Sequence, residues 1–74
     1  MDWSAVFRDI QLWMQESNEV SKKFSISSDQ YWSWVVESTG IIGNRYNNHP
    51  LVNKFLLALI SFQEENYKKL INKN

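Results

Sequence analysis

The only imidazole in this 74-residue chain belongs to His49, and an imidazole is the side chain best suited to exchange a proton near neutral pH. Acid–base or nucleophilic catalysis would also need an orienting carboxylate, a nucleophile and a place for developing negative charge. No Asp or Glu lies close to His49 in sequence, there is no Cys, and no Ser stands in a recognisable nucleophile pattern. A structural role asks for less. His49 precedes Pro50, and a residue before proline is held extended, as the cap of a following helix must be.

The eight carboxylates are Asp2, Asp9, Glu16, Glu19, Asp29, Glu37, Glu64 and Glu65. They form no calcium-loop pattern and no Glu-x-x-His pair; Glu16 and Glu19 share a helical face and read as solvated. One His without Cys all but excludes zinc. Gly40 and Gly43 are too sparse for a phosphate loop and follow no strand. The expectation is therefore a non-enzymatic chain with no catalytic residue, metal or cofactor.

A formal charge of zero, from eight basic and eight acidic residues, argues against duplex DNA or an anionic membrane as a partner. Met1-Asp2-Trp3 lacks the basic and apolar regions of a secretion signal. The most apolar run, 51–62, contains Asn53 and Lys54 and falls short of the roughly 20 apolar residues a membrane helix needs. A soluble, cytoplasmic protein is expected.

These side chains must be positioned by one small domain, residues 1–74. At this size a core rarely supplies more than about 3–5 kcal/mol net, and with no Cys there are no disulfides to help. Four Trp, four Phe and three Tyr suggest that an aromatic-dense core, or self-association, supplies the rest.

Helical periodicity places Trp3, Val6, Phe7, Ile10, Trp13, Met14, Val20 and Phe24 on one face, with Ser17 the polar member in phase. Asp2 is positioned as an N-cap, and Lys22 and Lys23 suit the C-terminal end of the dipole. Helix 1 is expected over 3–24, with Glu19 and Lys23 as an i,i+4 pair. Ser27-Ser28-Asp29-Gln30 fits a capping box with Ser27 as the cap and Ile26 and Tyr31 as its staple. Helix 2 either stops at Thr39 with Gly40 as a left-handed cap, or runs through both glycines to Tyr46. The phase of Tyr31, Val35, Thr39, Ile42 and Tyr46 favours the longer helix, 28–46, closed by Asn47 or Asn48 in the left-handed region. Pro50 then opens helix 3, over 50–71, with Glu64–Lys68 and Glu65–Lys69 as ion pairs and Asn72-Lys73-Asn74 fraying. Connections of about three residues make neighbours near-antiparallel. The fold class expected is all-α, a three-helix bundle.

What remains after a core is assigned points to partners. Leu12 lies opposite the helix 1 stripe, and Leu57 lies among Lys54, Ser61, Glu64 and Lys68 on the polar side of helix 3. Trp34 and Val36 flank the Tyr31–Val35 line, so helix 2 is either central or carries a second apolar surface, and such patches mark partner sites. Trp, Tyr and Arg dominate interface hot spots. The expected contact residues are Trp32, Trp34, Arg45, Tyr46 and His49, with Leu12 and Leu57. The function expected is a small protein-interaction module, or a regulatory or inhibitory accessory protein of the kind a phage or mobile element encodes, binding a partner protein or itself. The alternative is a nucleic-acid-binding regulator using the helix 2–turn–helix 3 corner. Against it, the first turns of helix 3 hold Leu51, Val52, Phe55 and Leu56 where base and phosphate contacts would be needed.

Overall fold

The computed structural model describes residues 1–71, and these form three helices: α1 (Trp3–Lys23), α2 (Asp29–Arg45) and α3 (Pro50–Ile71). The protein is an all-α three-helix bundle. The fraying expected of residues 72–74 lies outside the described residues. Each boundary has a local cause. Asp2, extended at φ −86° and ψ 92°, caps α1 by accepting the Ala5 N–H at 3.2 Å. The helix stops one residue earlier than expected, because Phe24 turns extended while its N–H still donates to the Val20 carbonyl at 2.9 Å.

The cap of α2 is Ser28 rather than Ser27. Ser27 is drawn into the turn by Ser25, with the two hydroxyls 2.8 Å apart. Ser28 Oγ donates to the Ser25 carbonyl at 2.6 Å and accepts the Tyr31 N–H at 3.2 Å, so the expected box between Ser27 and Gln30 does not form. The longer reading of α2 holds: the helix passes through both glycines, neither at positive φ. Tyr46 is its C-cap, and Asn47 and Asn48 are both left-handed, at φ 56° and 55°. The Asn48 N–H donates to the Gly43 carbonyl at 2.8 Å and the Asn47 N–H to Asn44 at 3.1 Å. That is the double bond pattern of a Schellman motif with Asn in the place of glycine. His49 then caps α3: its Nδ1 accepts the Leu51 N–H at 3.1 Å, and its carbonyl accepts from Asn53 at 2.9 Å.

α1 and α3 both pack principally on α2, which is central. Asp9 near the start of α1 meets Arg45 at the end of α2, and Tyr31 at the start of α2 meets Gln63 in the second half of α3, so α2 is antiparallel to each and α1 and α3 run in the same direction. The connections span 24–28 and 46–49, somewhat longer than the sequence suggested. The interior consists of Val6, Trp13, Tyr31, Val35, Ile42, Val52 and Leu56. Val6, Val35 and Val52 are fully enclosed, and Tyr31 nearly so. Burying one such side chain is worth about 1.5–3 kcal/mol, a large share of what a core this small leaves. Two polar residues are buried and satisfied locally: Ser17 Oγ donates to the Met14 carbonyl at 2.7 Å and Thr39 Oγ1 to Val35 at 2.8 Å.

The bundle is long and thin, 45 × 20 × 18 Å with a radius of gyration of 13.0 Å, against about 11 Å for a compact chain of this length. A narrow cross-section cannot cover the full apolar width of each helix. Phe7 and Met14 on α1 and Leu51, Phe62 and Leu70 on α3 keep helical phase with the core yet remain exposed, as does Phe24 just past the end of α1. Among the described residues no helix is long and apolar enough to cross a membrane.

Candidate functional site

Most of the side chains expected to meet a partner are tied into the bundle. Trp34 lies stacked on Trp13, ring centroids 5.1 Å apart. Trp32 donates its indole N–H to the Ile26 carbonyl at 2.8 Å and stands edge-on to Tyr31 and Tyr67. His49 caps α3 and sits edge-on to Trp3 at 5.3 Å. Leu12 and Leu57 are exposed on different faces, so the seven expected residues do not converge on one patch.

Arg45 and Tyr46 meet on Asp9, a residue the sequence did not single out. Arg45 Nη1 lies 2.9 Å from Asp9 Oδ2, and the Tyr46 hydroxyl donates to the same oxygen. Burial alone would push the Asp9 carboxyl up. The hydrogen bonds from Tyr46 and Arg45, with the charges of Arg45 and Arg8, outweigh it and hold the carboxyl below its ordinary value. The hydrogen bond to Asp9, helped by burial and by the carboxylate charge, pushes the Tyr46 hydroxyl up. Asp9 thus ties α1 to the end of α2 and neutralises the arginine of the α2–α3 corner. The other ion pair among the described residues is Lys22–Glu19 at 3.2 Å. It replaces the expected Glu19–Lys23 pair, while Glu64–Lys68 and Glu65–Lys69 do not close; exposed pairs gain little from closing.

Several of the exposed apolar side chains line the grooves between helices. At the corner end α1 meets α3 through Trp3, Phe7 and Phe55, with Phe7 and Phe55 centroids 5.8 Å apart. Further along, the two helices leave a cleft of about 430 Å³. Trp13, Ile26 and Tyr31 form its floor, Met14, Ser17, Asn18 and Ser21 its α1 wall, and Leu59, Phe62, Gln63 and Asn66 its α3 wall. Met14 is 52% and Phe62 57% exposed. None of the lining residues carries a charge, although charged residues make up 22% of the chain. The Tyr31 hydroxyl donates to Gln63 Oε1 at 2.8 Å, which leaves the Gln63 amide NH₂ to donate elsewhere. A shallower groove between α2 and α3 holds Val36, Gly40 and Leu57, and a third between α1 and α2 holds Leu12 and Ile41 beside Arg45.

The cleft has the chemistry of a docking surface: an aromatic floor, apolar walls, neutral amides at the side, and no charge to desolvate. The sequence carried one hint of it, Ser17 in phase with an otherwise apolar stripe. Which in-phase residues lie beyond the reach of α2 depends on how far apart α1 and α3 sit, and no local pattern encodes that. Comparison with known protein families, with curated proteins and with solved structures gives no match.

Proposed function

We propose that this protein is a non-enzymatic interaction module that offers its α1–α3 cleft to another polypeptide, in a regulatory or accessory role. One observation carries the reading. Among the described residues, eleven large apolar side chains are exposed and seven are buried, and Met14 and Phe62 stand at one uncharged cleft. Scattered exposed leucines are ordinary; apolar walls gathered around an aromatic floor are the pattern of a partner site.

A photoreactive residue tests this. Placed at Phe62 in cells of the native host, it should give a covalent protein adduct that the same probe at exposed Glu19 does not. Adducts from neither position, or equally from both, would remove the cleft from consideration.

A further inference from the structure

We propose that the hollow between α2 and α3 around Trp32 is a binding site for an arginine side chain displayed by a partner polypeptide. It shares no lining residue with the α1–α3 cleft, so the site stands whatever occupies that cleft. Its basis is an anchored aromatic pair, together with the sign of every charge that surrounds it.

The hollow, about 430 Å³, lies between the first turns of α2 and the later turns of α3. Trp32 and Tyr67 line it with their rings at 82° to each other, centroids 6.1 Å apart. The Trp32 indole N–H donates to the Ile26 carbonyl at 2.8 Å, which fixes that ring before any ligand arrives. Both rings are only half-buried. An aromatic wall set in advance removes part of the ordering cost of binding.

The surrounding charges share one sign. Asp29 and Glu64 line this hollow, and Asp29 and Glu37 line a more open one that adjoins it at Trp32. Three of the eight acidic residues therefore border the indole, and none of the eight basic residues lines either hollow. Among the described residues none of the three carboxylates forms an ion pair, and Lys68, one turn beyond Glu64, does not close on it. Exposed carboxylates alone are ordinary; set around the negative face of an indole, they select a cation.

Spacing selects which cation. Asp29 precedes Trp32 by three residues and Glu64 precedes Tyr67 by three, so each carboxylate shares a helix face with a ring. Because α2 and α3 are antiparallel, the two carboxylates come from opposite walls and opposite ends of the hollow, with the rings between them. A guanidinium can lay its plane on a ring and direct N–H groups from its edges to carboxylates on two sides. A lysine ammonium is a strongly hydrated point charge with no plane to stack.

Titration of the ¹⁵N-labelled full chain with a blocked Gly-Gly-Arg-Gly-Gly peptide is the test, read at the four indole N–H resonances. The Trp32 resonance should move and saturate with a Kd of about 1–10 mM, the range for one cation on a ring and exposed carboxylates. Trp3, Trp13 and Trp34 should stay in place. A citrulline peptide, which keeps the shape and loses the charge, should leave Trp32 unmoved, and the lysine peptide should bind at least about threefold more weakly. Affinity should fall at least about threefold between about 20 and 500 mM salt. Asp29→Asn/Glu64→Gln should weaken binding at least about fivefold with helical circular dichroism retained, since both carboxylates are exposed and Ser28 is the α2 cap. Glu64→Gln alone should give about a threefold loss if the double variant folds poorly. No movement of Trp32 at about 20 mM arginine peptide, an equal response to citrulline, or undiminished binding by the variants would overturn the site. Equal or tighter binding of the lysine or a trimethyllysine peptide would overturn the choice of arginine.

Discussion

Trp13 on α1 and Trp34 on α2 lie stacked, ring centroids 5.1 Å apart and planes 20° from parallel. The Trp13 indole N–H reaches Ser38 Oγ at 2.7 Å. The two rings and one hydrogen bond make the middle of the α1–α2 contact, with Trp13 buried and Trp34 half-covered. Trp34 therefore serves α1 before it can serve a partner. Trp13→Phe keeps an aromatic ring for the stack but loses the hydrogen bond to Ser38, whose hydroxyl still donates to the Val35 carbonyl at 3.3 Å, and should cost about 1–2 kcal/mol. Trp13→Ala should cost about 3–5 kcal/mol, comparable to the whole stability of so small a core, and leave the chain largely unfolded. Chemical denaturation followed by tryptophan fluorescence and circular dichroism separates the two outcomes.

The two helix-interior glycines should respond differently to alanine. A methyl group at Gly40 would meet nothing within 4 Å, so Gly40→Ala should stabilise by about 0.5–1 kcal/mol through helix propensity alone. At Gly43 the same methyl would lie 3.2 Å from Asn48 Oδ1 and 3.3 Å from Asn53 Oδ1, where α2 and α3 close on their corner. Gly43→Ala should fall short of Gly40→Ala by about 1 kcal/mol, as crowding cancels propensity. Equal gains in urea midpoint would mean that the corner is looser than these distances imply.

Asp9 gives the stability a defined acid limb. Its carboxyl is held below the ordinary value of 3.8, so its contribution is fully present above that value and is lost as pH falls through the lower folded one. Arg45 is about half exposed, so the effect should be at most about 1 kcal/mol. Wild type should exceed Asp9→Asn most at pH 5–7, and the two should converge toward pH 2. Tyr31 and Tyr46 act in the opposite direction. Burial raises Tyr31, and the hydrogen bond to Asp9 leads in raising Tyr46, so stability is kept below the ordinary value of 10.0 and falls as pH rises beyond it. An unchanged acid profile in Asp9→Asn would show that the carboxylate is not coupled to folding.

The legible part of this fold was what adjacent residues decide. Asp2, Pro50 and the phase of Tyr31, Val35, Thr39 and Ile42 were enough to place three helices and to carry α2 through its glycines. Where two candidates competed over a residue or two, a third decided: Ser25 engages the Ser27 hydroxyl and hands the α2 cap to Ser28. The site was less legible for a related reason. Arg45, Tyr46 and Trp34 looked like free recognition side chains because Asp9 and Trp13 lie 36, 37 and 21 positions away, and nothing in their own neighbourhood announces those partners. Met14 and Phe62 looked like core because their phase is right, while their exposure follows from the separation of α1 and α3.

The central claim is that the walls of the α1–α3 cleft serve binding and not folding. The unfolding free energy of Met14→Gln/Phe62→Gln, measured by urea titration near 1 µM so that association does not contribute, tests it most directly. The double variant should lie within about 1 kcal/mol of wild type, as exposed substitutions do. A loss of about 3 kcal/mol or more, the cost of deleting core side chains, would contradict it.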